Sequence, residues 1–320
     1  MSAQNSTQFG LGIDAGGTAT RWVLISKSQT TNQHQLINEG VACGLTGLLM
    51  ATLSGQAQLT NALQSIMHGA CGGQVAVKNH IQVFAGFTGL PDDSNPMQAL
   101  CSAALDLAPS KLNLVSDIEL THRAHFLPGE GYIVYAGTGS YASFIDDHGT
   151  LHRRGAHGGV LDDGGSGFWI AREALKQVWR REDEQAGLWH QSPMAKALFE
   201  QLGGSDWANT RHFVYGQSNA QMRGQMGILA RAVGATAQID PIAKSILTEA
   251  GYELARLANI LCAQFGSRPM QLAGRVFNLH PIVFETARET IAKVSSHSIQ
   301  LSGVPSLATF AASIAVNQTF

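Results

Sequence analysis

The sequence predicts an α/β protein that is built from a duplicated unit. Near residue 9 and again near residue 131, a strand leads into a glycine-rich tip, a second strand, a turn and a third strand, and helical sequence follows each time. The chain has 320 residues, which is long for one core and comfortable for two domains. We therefore expect an N-terminal domain of residues 1–118 with about 305–320, and a C-terminal domain of residues 119–304 that carries a helical insertion.

The strands are predicted from runs of β-branched and aromatic residues, and the helices from apolar residues at helical spacing. In the first half, the predicted strands are Phe9–Ile13, Arg21–Ser26, Gln35–Asn38, His80–Gly86 and Lys111–Val115. The predicted helices there are about Leu48–Met67 and Met97–Leu107. In the second half, the predicted strands are Gly131–Ala136, Tyr141–Ile145, Thr150–Arg153 and Ser298–Leu301. Helical sequence is predicted over about 166–265, Pro281–Val294 and Leu307–Val316.

Composition excludes several classes of protein. Hydrophobic residues make up 44% and charged residues 14%, so the chain can bury large cores and is not disordered. The net charge is −2 and the densest basic stretches are two residues long, which argues against nucleic acid as a partner. No apolar run is long enough to span a membrane, and the polar N-terminus does not predict a signal peptide.

The cysteines predict neither a metal site nor a disulfide framework. Cys43, Cys71, Cys101 and Cys262 lie far apart, and no C-x-x-C occurs. We expect buried, reduced thiols in a cytoplasmic protein.

The stretch Gly12–Leu24 places an acid, two adjacent glycines and a threonine before a run of β-formers. The stretch Gly10–Ala15 formally fits the dinucleotide fingerprint G-x-G-x-x-A, which needs an apolar strand before it and a helix after it. Here the preceding residues are polar and residues 21–25 predict a strand. The context is therefore a β-hairpin, whose tip carries Asp14, Gly16, Gly17 and Thr18.

Two glycine-rich tips that face a shared cleft would suit a polyphosphate. Glycine lets backbone N–H groups approach an anion closely, and a threonine or serine adds a hydroxyl donor. The first tip is Gly16-Gly17-Thr18, and the second is Gly137-Thr138-Gly139-Ser140. Asp14 would then hold Mg²⁺ through water, since Mg²⁺ keeps several waters and takes few carboxylates. The alternative for Gly16-Gly17 is a tight hairpin turn with no ligand.

Asp117 follows the predicted strand Lys111–Val115. A carboxylate at the carboxyl edge of a strand can accept a proton from a substrate hydroxyl, so Asp117 is a candidate catalytic base. The alternative is structural, because Ser116-Asp117-Ile118-Glu119 also fits a capping box. An aspartate can serve both purposes.

The stretch Gly158–Leu175 combines two aspartates and several glycines with the start of an amphipathic helix. Asp163 is a candidate for binding substrate hydroxyls, and the alternative is a flexible loop with Ser166 as the helix N-cap. His152 and His157 lie near Asp162 and Asp163, but their spacing fits no helical pair of metal ligands.

Taken in order, these pieces resemble the sugar kinase/actin/Hsp70 superfamily, and within it the BadF/BadG/BcrA/BcrD ATPase branch that includes N-acetylglucosamine kinase and glucosamine kinase. Gly12–Thr18 resembles the first phosphate motif, Ala136–Ser140 the second, and Leu272–Phe277 the adenosine motif through Ala273 and Gly274. Val115-Ser116-Asp117 resembles the segment that carries the family's catalytic aspartate. The resemblance covers nearly the whole chain and implies two actin-like (ribonuclease H-like) domains with a nucleotide cleft between them.

The chain departs from the family pattern at three places. Ala273 replaces one glycine of the usual Gly-Gly pair. Gly164 stands where the family usually has glutamate in Gly-Asp-Glu-Gly-Ser-Gly. The loop Gly40–Gly44 lacks the asparagine that often meets the sugar. A pocket without these polar groups cannot reject analogues by leaving them unpaired, so the identity of the sugar and of the hydroxyl stays open.

The resemblance implies an ATP- and Mg²⁺-dependent hexosamine kinase. The phosphates would meet both tips, the adenosine would lie near Ala273 and Gly274, and Mg²⁺ near Asp14. Asp117 would orient and deprotonate the sugar hydroxyl, while Asp163 and Gly139 would contact the sugar. We expect a small-molecule sugar as the substrate, and a homodimer is compatible with the resemblance.

Two other functions stay open from the sequence. One is an ATPase that activates a partner enzyme without phosphorylating a sugar, and the other is a sugar sensor without catalysis. The segment 205–234 carries no motif that we can interpret, and we expect its Gln217, Asn219, Gln221 and Arg223 to face solvent.

Overall fold

The computed structural model describes residues 7–28, 32–72, 75–216, 219–302 and 306–317. It contains two compact units, one of residues 1–124 with 305–320 and one of residues 125–304. Each unit contains one five-stranded sheet with helices, so the predicted α/β class is confirmed. None of the described helices combines the length and the apolarity needed to span a bilayer.

The sheet of the first unit has the order β3-β2-β1-β4-β5. Its strands are β1 (Gln8–Ala15), β2 (Ala19–Lys27), β3 (His34–Cys43), β4 (Ile81–Phe87) and β5 (Leu112–Ser116). β1 pairs antiparallel with β2, and β2 with β3. β1 pairs parallel with β4, and β4 with β5. The helices between them are α1 (Leu53–Cys71), α2 (Val75–Asn79), α3 (Asn95–Leu105) and α4 (Asp117–Arg123).

The first predicted helix is interrupted at its start. Residues Gly47–Ala51 form a 3₁₀ turn, and α1 begins only at Leu53. The cause is Thr52, whose backbone is extended and whose hydroxyl accepts a hydrogen bond from the N–H of Gly55 at 3.1 Å. A threonine oxygen that caps a helix competes with continuation of the preceding turn, which periodicity alone does not reveal.

The sheet of the second unit repeats the topology of the first, with the order β10-β9-β6-β7-β8. Its strands are β6 (Tyr132–Ala136), β7 (Ser140–Ile145), β8 (Leu151–Gly155), β9 (Met270–Ala273) and β10 (Ile299–Leu301). Three antiparallel strands are again followed by two parallel ones. The duplicated unit that the sequence predicts is therefore present, with β6 at the place of β1.

The helical insertion of the second unit divides into several helices, and one more follows β9. They are α5 (Gly167–Glu184), α6 (Pro193–Leu202), α7 (Trp207–Tyr215), α8 (Asn219–Thr236), α9 (Pro241–Phe265) and α10 (Pro281–Ile291). One large apolar cluster joins these helices to the sheet. Gln217 and the side chains of Asn219, Gln221 and Arg223 lie outside the described part of the chain.

The last helix, α11 (Leu307–Asn317), packs on the sheet of the first unit. Its alanines Ala308 and Ala312 meet Val23 and Ile25 of β2 in one small cluster. The approach to β1 is so close that a Cβ at Gly12 would overlap the carbonyl oxygen of Ala308 and the backbone nitrogen of Ala312. Gly10 and Gly12, which formally match the dinucleotide fingerprint, therefore lie inside a strand. Their lack of a side chain allows α11 to pack closely on β1 and does not serve a nucleotide.

The four cysteines do not share one environment. Cys71 and Cys101 are buried, whereas Cys43 is exposed and Cys262 is half-buried. The expectation that all four are buried is wrong for Cys43, which ends the edge strand β3. Burial raises the pKa of the Cys101 thiol to about 12.

One buried carboxylate joins the starts of two helices in the second unit. Asp240 is 3% exposed, and its Oδ1 accepts hydrogen bonds from the N–H groups of Ile242 at 2.9 Å and Ala243 at 3.2 Å, at the start of α9. Its Oδ2 accepts from the hydroxyl of Ser192 at 2.6 Å and from the N–H of Met194 at 2.9 Å, at the start of α6. Burial alone would raise the pKa of Asp240, but these hydrogen bonds together outweigh burial and lower it.

Asp240→Ala should lower the free energy of unfolding by about 2–4 kcal/mol, because it leaves buried donors of two helices without an acceptor. A lowered folded pKa means that the stabilisation is present above the ordinary pKa of aspartate and is lost as the pH falls through the folded pKa. The difference between wild type and variant, measured by urea denaturation, should therefore shrink in acid. Asp206→Ala removes an exposed cap of α7 alone and should cost only about 1 kcal/mol; equal losses for the two variants would contradict the double role.

Gly12→Ala should destabilise the first unit by about 1–3 kcal/mol, because the added methyl group forces α11 away from β1. Thermal unfolding followed by circular dichroism measures the effect. Gly224→Ala is the control, since a Cβ there meets nothing within 4 Å on α8. That control should be neutral or stabilising by up to about 1 kcal/mol. Similar melting temperatures for Gly12→Ala and wild type would refute the packing argument.

Candidate functional site

Three polar side chains of the first unit lie where parallel strands end. In the sheet, Asp14 of β1 is opposite Gly86 of β4, and Phe87 of β4 is opposite Ser116 of β5. Because the carboxyl ends of parallel strands meet at one edge, Asp14, Thr88 and Asp117 are brought to that edge together. Asp14 and Asp117 are sequence-predicted site residues, and Thr88 is not.

The first tip is held through a carbonyl group. The carbonyl oxygen of Gly16 accepts a hydrogen bond from the N–H of Leu45 at 3.1 Å. Since a trans peptide points its N–H opposite to its C=O, the N–H of Gly17 is turned away from the loop that contains Leu45. Gly17 and Thr18 are both exposed. The tip therefore offers a backbone donor and a hydroxyl on its open side.

Gly44 explains one departure from the family pattern. A Cβ at Gly44 would overlap the carbonyl oxygen of Gly17, because the loop after β3 packs directly on the first tip. An asparagine at this position would displace the tip. The missing polar contact is therefore linked to close backbone packing.

The second tip is held in the same way, by a helix. The carbonyl oxygens of Gly137 and Thr138 accept hydrogen bonds from the N–H groups of Gly167 at 2.8 Å and Phe168 at 3.3 Å, at the start of α5. By the same peptide geometry, the N–H groups of Thr138 and Gly139 are turned away from α5. Successive backbone N–H groups that point to one side of a turn are donors of the kind that bind anions.

The predicted adenosine residues lie beside the second tip. Ala273 is the last residue of β9 and pairs with Tyr135 of β6. Tyr135 is the next-to-last residue of β6, the strand that leads into the second tip. Gly274 has a φ of 111°, and a Cβ there would overlap the carbonyl oxygen of Ala136. Only glycine suits this backbone conformation and this close approach. Ala273 is fully buried, so its methyl group is accommodated by the fold.

Asp163 and Ser140 belong to the packing of the second tip. Asp163 is 2% exposed with a φ of 51°, and its Oδ1 accepts a hydrogen bond from the N–H of Gly158 at 3.0 Å. Its Oδ2 faces Gly139, where an added Cβ would lie 2.8 Å away. The hydroxyl of Ser140 is buried and donates to the carbonyl oxygen of Gly164 at 2.7 Å. The hydroxyl of Ser140 therefore ties the tip to the loop 158–165, and Asp163 packs against the tip from that loop.

A charged cluster on this loop was missed by sequence reasoning. A Cβ at Gly164 would lie 2.6 Å from Oε2 of Glu253, a residue of α9. Glu253 accepts a hydrogen bond from Nε of Arg256 at 2.8 Å, and Nη2 of Arg256 lies 3.4 Å from Oδ2 of Asp162. The chain therefore carries a carboxylate beside position 164 that comes from another element. No local sequence pattern predicts a site role for Glu253, because it is one residue in the middle of the long helix α9.

The histidines near the loop have separate partners. Nε2 of His152 lies 2.8 Å from Oδ2 of Asp146, and Nδ1 of His157 lies 4.0 Å from Oδ2 of Asp162. Within the described ranges, no group of three or more His, Cys, Asp or Glu residues is arranged to hold a metal ion.

Asp117 serves as the first residue of α4, as its alternative interpretation proposed. Ser116 is the N-cap, and its hydroxyl accepts a hydrogen bond from the N–H of Glu119 at 3.1 Å. Glu119 does not complete a capping box, because its carboxylate accepts instead from Nε of Arg123 at 2.8 Å. The carboxylate of Asp117 accepts from the N–H of Ile118 at 2.9 Å and from the hydroxyl of Thr88 at 2.7 Å.

The electrostatics of the strand ends in the first unit are unfavourable for negative charge. The pKa of Asp14 is raised, mainly by burial and further by the negative charge of Asp117. Arg21, opposite Asp14 on β2, acts in the other direction and lowers it. A cation bound at this place would therefore be stabilised by both carboxylates.

The comparisons with known proteins agree with this architecture. The model of the BadF/BadG/BcrA/BcrD ATPase family matches residues 11–302. Curated protein sequences gave no match.

Solved structures show the same fold. A candidate N-acetylglucosamine kinase from Chromobacterium violaceum is 21% identical with a TM-score of 0.73, over 97% of this chain and 99% of that one. A candidate N-acetylglucosamine kinase from Porphyromonas gingivalis is 18% identical with a TM-score of 0.68, over 91% and 94% of the two chains. A ROK family glucokinase from Streptomyces griseus, solved with glucose and AMPPNP, is 16% identical with a TM-score of 0.58, over 97% and 98%. The predicted pair of actin-like domains is thereby confirmed as the fold.

Asp14→Asn should raise the free energy of unfolding at neutral pH, since it removes a charge that the fold disfavours. Because the pKa of Asp14 is raised in the folded state, protonated Asp14 contributes to the stability of the wild type at low pH, and this contribution is lost as the pH rises through the folded pKa. The gain over wild type should therefore vanish in acid. Asp106→Asn is the control of opposite sign, because Lys78 lowers the pKa of Asp106 through a hydrogen bond and its charge. Denaturant unfolding measures the free energy of unfolding of each variant. A change of the same sign in both variants would contradict this assignment.

Proposed function

The chain belongs to the BadF/BadG/BcrA/BcrD ATPase family, and we propose that it is an ATP-dependent sugar kinase that phosphorylates a hydroxyl of an aminosugar, N-acetylglucosamine or glucosamine. The observation that carries the proposal is the shared construction of the two tips. Each is held through its carbonyl groups, so that backbone N–H groups point outward. The requirements of a tight hairpin turn could account for the glycines of one tip. They do not account for the same carbonyl hydrogen-bonding arrangement at the equivalent place of both sheets.

The second tip would bind phosphate oxygens of ATP through the N–H groups of Thr138 and Gly139 and through the Thr138 hydroxyl. The first tip would contribute the N–H groups of Gly17 and Thr18 and the hydroxyl of Thr18, with Gly16 needed for the turn. The adenosine would lie against the backbone at Ala273 and Gly274. Gly137 and Ser140 would act by keeping the second tip in shape.

Asp14 suits a magnesium ion that arrives with the nucleotide. The raised pKa of its carboxyl, caused first by burial, means that a nearby cation would relieve an unfavourable charge. Mg²⁺ typically binds one or two carboxylates, waters and phosphate oxygens, so a single carboxylate suffices. The ion would supply neutralisation of the charge on the transferring phosphoryl group.

Asp117 would orient the sugar hydroxyl and accept its proton. Each carboxylate oxygen has two lone-pair sites. One site of Oδ1 takes the N–H of Ile118, and one of Oδ2 takes the hydroxyl of Thr88. With its orientation fixed in this way, the carboxylate would present an acceptor to the substrate hydroxyl. In phosphoryl transfer most of the rate comes from positioning and charge neutralisation, so a carboxylate held at both oxygens fits the task.

Asp163 would accept a hydrogen bond from a sugar hydroxyl with Oδ2, beside Gly139. Its burial supports this role, because a buried carboxylate binds a polar partner more strongly than an exposed one. The aminosugar is favoured by the resemblance of the loop 158–165 to the aminosugar kinases. Glu253, which is paired with Arg256, would place a carboxylate acceptor close to that loop, where the N–H of an aminosugar would donate to it.

ADP release from ATP and Mg²⁺ should rise strongly with one sugar from a panel of glucosamine, N-acetylglucosamine, N-acetylmannosamine and glucose. A coupled assay measures the rate, and mass spectrometry of the product identifies the phosphorylated sugar. Steady hydrolysis that is indifferent to every sugar would refute the kinase and favour the ATPase that activates a partner enzyme. Sugar binding without turnover would instead favour a sensor.

Asp117→Asn should lower the rate of sugar phosphorylation by at least about 100-fold, because the amide cannot take the proton of the hydroxyl. ATP binding, measured by calorimetry, should stay within a few-fold of wild type. Asp106→Asn is the matched control, an exposed aspartate of the same unit that pairs with Lys78, and it should keep full turnover. Unchanged turnover of Asp117→Asn would end its assignment as the base.

A further inference from the structure

Thr88 has no role in any pattern of the sequence, yet its backbone is fixed from two sides. It follows β4 directly, and its N–H donates a hydrogen bond to the carbonyl oxygen of Ala15 at 3.0 Å, at the end of β1. Its own carbonyl oxygen accepts from the N–H of Gly47 at 2.9 Å, and Thr88 pairs with Thr46 in an isolated parallel bridge. The residue therefore joins the ends of two strands to the loop that follows β3.

The side chain of Thr88 uses this fixed place to reach a carboxylate 29 positions away. Its Oγ1 donates a hydrogen bond of 2.7 Å to Oδ2 of Asp117. Threonine is stiff at χ1, so a fixed backbone also fixes the direction of the hydroxyl. A hydrogen bond from a neutral donor to a charged acceptor is among the stronger ones in proteins.

The second oxygen of Asp117 is held by a different element. Oδ1 accepts from the N–H of Ile118 at 2.9 Å, within α4. The two hydrogen bonds thus link the carboxylate to the end of β4 and to α4. Loss of the Thr88 hydroxyl would leave the bond within α4 and remove a bond between the carboxylate and the end of β4.

We propose that Thr88 is a positioning residue that orients the carboxylate of Asp117 for proton transfer. The inference rests on the proposed function, since it gives the orientation of Asp117 a purpose. Thr88 acts through Asp117 and needs no contact with the substrate of its own. The loss of a fixed orientation should affect the chemical step far more than nucleotide binding.

Charged residues are sparse on the described strands and helices that neighbour Asp117. β4, β5 and α11 contain no charged residue, and β1 contributes only Asp14. Arg21 of β2 acts on Asp14, and α4 itself carries Glu119, His122 and Arg123. None of these groups is altered by a substitution at Thr88. A change in the titration of Asp117 would therefore report the lost hydrogen bond.

The test compares Thr88→Val, which keeps the shape of the side chain and removes the hydroxyl, with Thr88→Ser, which keeps the hydroxyl. For Thr88→Val, kcat for the stimulating sugar should fall by about 10- to 100-fold, with the KM for ATP unchanged, because misplacement of a reacting group by about 1 Å has effects of this size. The acid limb of kcat/KM should move to higher pH, since a donor to a carboxylate favours its ionised form. Thr88→Ser should recover most of both losses.

A second readout does not depend on turnover. In ¹³C-labelled protein, NMR follows the titration of the carboxyl carbon of Asp117, whose signal is assigned by its absence in Asp117→Asn. The midpoint of this titration should lie at higher pH in Thr88→Val and near that of the wild type in Thr88→Ser. Thr121→Val is the control, because the hydroxyl of Thr121 donates to the backbone carbonyl of Asp117 at 2.8 Å. It should lower thermal stability and leave the titration of Asp117 in place.

The outcomes separate this inference from the proposed function. If no sugar stimulates ADP release but the Asp117 titration shifts in Thr88→Val, the kinase fails and the hydrogen bond keeps its effect on the carboxylate. If a sugar is phosphorylated and Thr88→Val changes neither the titration nor kcat, the positioning role is overturned and the kinase stands. Equal losses in Thr88→Val and Thr88→Ser would also overturn it, because they indicate a steric role. Should Thr88→Val not fold, Thr88→Ala against Thr88→Ser gives the same comparison.

Discussion

The planarity of the peptide group is the constraint on which the candidate site depends. In a trans peptide the carbonyl and the N–H point in opposite directions, so whatever holds one decides where the other points. The N–H groups of Leu45, Gly167 and Phe168 hold the carbonyls of the two tips. The outward amides of Gly17, Thr138 and Gly139 are a consequence of that support. At Gly44 the backbone of the first tip approaches closer than a Cβ would allow.

The carboxylates of the site carry a cost in stability. Asp14 is half-buried, and its partial burial together with the negative charge of Asp117 raises its pKa and makes its ionised form unfavourable. Asp163 is almost fully buried in a left-handed backbone conformation that aspartate adopts only at some cost. A fold selected for stability alone would avoid these features, and their occurrence at strand ends and at a glycine tip is typical of sites that bind a ligand. Asp240 is the contrast within the same protein, since its carboxylate is fully paired and stabilises two helices.

Two departures from the family pattern occur where another part of the chain lies against a glycine. Gly44 has no room for a side chain because the backbone of the first tip lies against it, and the carboxylate of Glu253 lies beside Gly164. A missing polar side chain in a sequence is therefore not the same as a missing polar group at the site. Glu253 and Arg256 bring charge to the loop 158–165 from a helix that lies about 90 residues further along the chain. Selectivity for the sugar would depend on these residues as well as on the motif itself.

The sequence by itself determined the α/β class, the duplicated strand–tip–strand unit, and the places of Asp14, Asp117 and the glycine tips, because these follow from local patterns of apolar residues and glycines. It did not reveal the break at Thr52, where a hydroxyl competes with helical continuation, or the exposure of Cys43 on an edge strand. Only the tertiary structure decided that α11 packs against Gly10 and Gly12. It also decided that the hydroxyl of Ser140 donates a hydrogen bond to the carbonyl of Gly164, and that the hydroxyl of Thr88 donates one to the carboxylate of Asp117. These contacts join residues that are distant in the chain, and no local propensity encodes them.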